Sequence, residues 1–185
     1  MKITTEWLEE KRACKARLTW FDEHFPKGEA DYQAVLDALA EENRLDYATW
    51  LFDAAGPLDT VMEIDGDLEV EGSFFFAGAV KITGTLKAGF SIRLGRGISA
   101  GCGISAGRGI SAGWGISAGD SISAGFFVTC KFVLKFTLRI FAGTCYWKMP
   151  TDEEKTITCG KFVGGELAYG ILNETGIPAK TEVEA

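Results

Sequence analysis

Apolar residues recur every six positions through the middle of the chain. From Met62 the register passes through Val80, Ile98, Ile116 and Leu134 and reaches Ile140 without a break. A second apolar residue stands two places after each of these: Ile64, Ile82, Ala100, Ala118, Phe136 and Ala142. In a strand, positions i and i+2 share a face, whereas six residues of a helix carry the apolar position round by about 240°. The pattern therefore predicts short strands stacked in a coil, a β-solenoid over residues 62–145. Position i+1 (Ser, Glu, Lys, Arg) points outward and glycines allow the corners. GISAG at Gly97, Gly103, Gly109 and Gly115 is its most regular stretch. Three hexads per coil place Met62, Val80, Ile98, Ile116 and Leu134 in one column. Fewer than five coils then give a rod roughly 20 Å long at about 4.8 Å per coil.

The flanks follow other periods. Tyr32, Val35, Leu36 and Leu39, then Tyr47, Trp50, Leu51 and Ala54, recur at helical spacing, and Gly56-Pro57 is a stop signal. With Trp7, Leu8, Leu18, Trp20, Phe21 and Phe25 they predict a small helical domain over 1–57 that covers one end of the coil. After the last hexad, Tyr146–Met149, Thr156–Cys159 and Glu166–Leu172 read as short strands. They predict a β cap at the other end, over 146–185, with a polar tail fraying after Pro178. The fold class expected is α+β: acidic helical domain, solenoid, short β cap.

Charge sharpens this division. Thirteen acids face seven bases in residues 1–60, six face eight in 61–145, and seven face four in 146–185, for a net −7. The acidity sits at the ends, which argues against direct grip on phosphates and for a basic partner. Asp37, Glu41, Glu42, Asp46 and Asp53 fall largely off the helical apolar stripe. Glu63, Asp65, Asp67, Glu69 and Glu71 project from the first coils. These ten are the candidate partner-binding residues. A second candidate is the solenoid rim at Arg96, Arg108 and Trp114, beside Asp120, because Trp and Arg are favoured interface anchors.

The remaining chemistry is sparse. His24 is the one histidine and lies outside the repeat, so the coil lacks the general base that hexapeptide β-helix acyltransferases use. Glycines that recur with the coil and precede no helix are not a phosphate loop. Five cysteines, at 14, 102, 130, 145 and 159, form no metal pattern and read as reduced thiols, with Cys130 inward. Neither a metal nor a cofactor is expected. No apolar run reaches the length of a membrane span and Met1–Lys11 has no signal-like h-region, so a cytoplasmic location is expected.

ACKARLTWF at 13–21, YQAVLDALAEENRLDYATWLF at 32–52, the GISAG hexads and the RIFAG and CGK segments resemble bacterial and prophage-borne repeat proteins. The organisation is also similar to two-part phage anti-CRISPR proteins, in which a repeat domain accompanies an acidic surface that imitates DNA. That resemblance implies a non-catalytic inhibitor that blocks the nucleic-acid-binding surface of a CRISPR effector complex, as a monomer or small oligomer in the host cytoplasm. Unlike pentapeptide-repeat DNA mimics, the chain has period six and almost no acid in its glycine-rich coils, so mimicry would rest on the helical segment and first coils. A self-assembling bactofilin-like β-helix and a hexapeptide-repeat acyltransferase are the alternatives.

Overall fold

The computed structural model describes residues 1–177; the stretch after Pro178, expected to fray, lies outside them. The N-terminal unit comprises β1 (Lys2–Thr4), α1 (Thr5–Glu10), α2 (Lys15–His24), β2 (Glu29–Asp31), α3 (Tyr32–Glu41) and α4 (Leu45–Ala55). The Thr4 side chain caps α1 by accepting the Trp7 N–H at 3.1 Å. Tyr32, Val35, Leu36 and Leu39 form the buried stripe of α3. They pack with Leu8, Trp20, Phe21, Leu51 and Phe52, while β1 pairs antiparallel with β2 and buries Ile3. Gly56 ends α4 at φ 75, a conformation that suits glycine.

From Val61 the chain winds as a parallel β-solenoid of about six turns. Strands recur every six residues and pair with the strand eighteen residues on, as in Ile104↔Ile122 and Ala106↔Ala124. The first face stacks Val61–Ile64, Ala79–Ile82, Ile98–Ala100 and Ile116–Ala118. The second stacks Leu68–Val70, Leu86–Ala88, Ile104–Ala106 and Ile122–Ala124. Two long strands, Val133–Ala142 and Lys161–Tyr169, then run across both faces. Phe74–Phe76, Ile92–Leu94, Ile110–Ala112, Val128–Cys130, Thr156–Cys159 and Ile171–Glu174 make the third. Inward Ile and Ala form one continuous core. Each isoleucine contributes on the order of 1.5–3 kcal/mol, so the stack is stable although no single coil is.

The repeat's glycines have a steric rather than a torsional reason. Gly89, Gly95, Gly101, Gly107, Gly113, Gly119 and Gly125 are absent from the positive-φ positions. A Cβ at any of them would instead lie within 3.0 Å of the carbonyl of the coil before, such as Gly89 O below Gly107. Glycine therefore lets successive coils close to hydrogen-bonding distance at the corners, as in Gly107 N–H to Ala88 O at 3.1 Å.

Three expectations change. The coil is longer than five turns, because Ile157 and Cys159 take the inward positions above Val128 and Cys130 and extend the stack. Tyr146–Met149 is a loop: Cys145 still follows the coil, donating to Gly125 O at 3.0 Å, and the chain then leaves the sheet until Thr156. The helical unit covers only part of the coil's end: it packs on Phe74–Phe76, the terminal strand of the third face. Phe75, in an outward position that is otherwise polar, and Ala77 are each 1 % exposed within the helical core. The Gln33 amide donates to Phe75 O at 2.9 Å and accepts the Ala77 N–H at 3.0 Å. Ser73 donates to Asn43 at 2.8 Å.

Candidate partner-binding site

The acids singled out from the sequence divide into two groups. In the first, internal partners hold the carboxylate. Asp53 lies 3.7 Å from Arg93, whose guanidinium stacks on Phe52 and ties α4 to the solenoid; burial lowers the Arg93 pKa and Asp53 opposes that fall. Glu42 accepts the Trp20 indole N–H at 2.8 Å and meets His24 at 2.8 Å. The Trp20 hydrogen bond, then the one to His24 and the charges of His24 and Arg44, hold its carboxyl below the usual range. Asp46 lies 3.6 Å from Arg44. On the coil, Glu63 faces Lys81 at 4.0 Å and Glu69 faces Lys87 at 2.6 Å.

In the second group the charge is left for solvent. Asp37 and Glu41 stand one turn apart on the exposed face of α3, and among the described residues no cation pairs with either. Asp37 accepts the neutral Gln33 amide. Asp65 and Asp67 flank Gly66 at the first corner, where they accept from the Thr83 hydroxyl at 2.9 Å and the Thr85 N–H at 2.6 Å. Glu71 is exposed at the next corner. The ten predicted residues thus form a helical patch and an acidic fringe around the first coil, and half of their charge is already matched.

The solenoid rim is three rims. A six-residue step moves to the next corner, so Arg96 and Trp114 share one, Arg108 another and Asp120 the third. Arg96 stacks on Trp114 at 4.4 Å and pairs with Asp59. Arg108 stacks on Phe90 at 5.1 Å, and Phe126 continues that corner. On the Arg108 corner the loop after Cys145 presents Tyr146 and Met149, 93 % and 83 % exposed, with Trp147 set edge-on against Phe126 at 6.1 Å. Reading Tyr146–Met149 as a strand hid this patch, although Trp147 and Met149 fall outside the hexad register.

His24 stacks on Trp20 at 4.3 Å, which places it in the packing of α2. Cys130 and Cys159 occupy the third-face core, where burial pushes their thiols up to about 12 and about 11. Among the described residues no cluster of three or more His, Cys, Asp or Glu is arranged to hold a metal. No helix among them is long and apolar enough to cross a membrane.

Residues 1–55 match the YdhT N-terminal domain. The match ends with the last residue of α4, so it covers the helical unit that carries Asp37 and Glu41 and none of the solenoid. The similarity to the YdhT domain thus begins and ends with a structural unit that has its own core. No curated protein and no solved structure matches the chain.

Proposed function

We propose that the protein acts by binding, using the acidic flank formed by its helical unit and first coil to hold a basic surface of a protein partner. The observation that carries this reading is the pair Asp37 and Glu41, solvent-facing and without a cation among the described residues, on a helix whose opposite stripe is fixed in the core. In its narrower form the partner is a CRISPR effector complex and the occluded surface is its nucleic-acid channel. That form is supported by the resemblance to phage inhibitors and by the sign of the charge. The test is capture from a bacterial host, followed by nucleic-acid binding of the captured partner with and without this protein. Asp37→Lys with Glu41→Lys should fold normally, release the partner and restore its nucleic-acid binding. A folded variant that still captures and blocks as wild type does removes the helical surface from the interface. Glu42 is left intact in this experiment, because its contacts to Trp20 and His24 hold the fold.

A further inference from the structure

We propose that the open edge of the first coil, strands Val61–Ile64 and Leu68–Val70, docks an extended basic segment of a partner protein; the proposal rests on the reading of the chain as a binder of basic surfaces. Both strands are terminal in their sheet, paired on one side only among the described residues. An edge strand offers unpaired N–H and C=O groups to an added strand. The core is open there too. Met62, Ile64, Leu68 and Val70 are partly exposed, whereas their counterparts one coil on, Val80, Ile82, Leu86 and Ala88, are buried.

The charge selects the occupant: Asp65, Asp67 and Glu71 pair with no cation among the described residues, and Glu63 and Glu69 stay largely exposed beside their lysines. Residues 61–77 contain five acids, Glu63, Asp65, Asp67, Glu69 and Glu71, and no lysine or arginine. The second coil shows what chemistry satisfies this one: apolar residues on the inward columns, with Lys81 and Lys87 outward over Glu63 and Glu69. The opposite side of the same strands presents the same columns with no strand paired upon them among the described residues, so an apolar–cation–apolar strand fits it. A second copy fits poorly. The last strands at its far end carry Glu166 and Glu174 against one lysine, Lys161, and Glu174 already accepts the Phe162 N–H at 2.9 Å across that edge, so end-to-end stacking would set a net acidic end against the acidic fringe. Phosphates are repelled by the same fringe.

The probe is a fluorescein-labelled peptide with the sequence of residues 79–88, AVKITGTLKA, titrated with the full chain and followed by anisotropy. Saturable binding is expected. Glu63→Lys with Glu69→Lys should weaken it by about tenfold or more, as should replacing both peptide lysines with glutamate. Those side chains point outward and are largely exposed, and the variant's melting curve checks that it folds. Hydrogen exchange on the wild type gives an independent readout, with slowing on peptide addition confined to residues 61–70. Absence of binding, equal binding of the glutamate peptide, or slowing elsewhere overturns the edge site. If Asp37→Lys with Glu41→Lys releases the peptide and the edge variant does not, the edge site falls while the basic-partner reading stands.

Discussion

Replacing Gly107 with alanine pushes a methyl group into the carbonyl of Gly89, on the coil before, inside the 3.0 Å that real Cβ contacts essentially never reach. The two coils must separate at that corner by on the order of 1 Å to restore ordinary contact. That separation stretches the bonds from Gly107 N–H to Ala88 O, 3.1 Å, and from Arg108 N–H to Phe90 O, 2.7 Å. Overpacking of this kind costs about 1–3 kcal/mol and each weakened backbone bond up to about 1 kcal/mol, against a gain of about 0.4–1 kcal/mol from the stiffer unfolded chain. The net loss centres on about 2 kcal/mol, a fall in melting temperature of roughly 4–8 °C for a chain of this size. Gly103→Ala is the matched control. Its nearest neighbour is Ser121 O at 3.2 Å, which a small shift relieves, so its effect should stay within about 1 kcal/mol. Circular dichroism melts of the two variants decide the matter. Equal melting of both would show that the glycines are not set by coil-to-coil contact.

Ala106→Asp places a carboxylate between Ala88 and Ala124 in the closed second-face column and should cost several kcal/mol, seen as loss of the cooperative melt; a wild-type melt would refute the inward assignment. Gln33→Ala leaves the Phe75 carbonyl and Ala77 N–H without their partner and should cost about 1–3 kcal/mol, with faster exchange of the Ala77 amide as the check. Glu42 has a folded pKa below its ordinary 4.5, so its contribution is full above that value and lost as pH falls through the lowered one. Wild type should therefore melt above Glu42→Gln at pH 7 and the two should converge in acid; a constant gap would mean that packing, not charge, sets the difference.

The solenoid was legible because its signal is strictly periodic: an inward Ile and Ala every six residues admits one register, and the structure keeps it from Met62 to Ala142. The helices of the N-terminal unit were legible for a similar reason, through stripes such as Tyr32, Val35, Leu36 and Leu39. That it would cover one end of the coil was legible, but not that it would do so at the third face alone. That docking depends on Phe75, whose apolar side chain in an outward position reads from sequence as one more member of a Phe-rich core. Ile157 and Leu172, which continue the inward column, lie beyond a loop that breaks the hexad spacing, so the last coils escaped the pattern that defines the others. The acids were identified correctly as exposed, but sequence does not show that Lys81, Lys87 and Arg93 arrive beside Glu63, Glu69 and Asp53 from a neighbouring coil. The rim failed for a geometric reason: residues twelve apart lie on two different corners, and those eighteen apart share one.

The central claim, that an exposed acidic flank recruits a basic partner, is tested most directly by the association rate of the captured complex across a salt series. Attraction between exposed surfaces is screened within about 8–10 Å at physiological salt. The rate should fall steeply as ionic strength rises, and the slope should flatten when Asp37 and Glu41 are changed to lysine. A rate that is independent of salt, with the same slope in wild type and variant, would contradict the account and move the interface to the exposed aromatic loop at Tyr146 and Trp147.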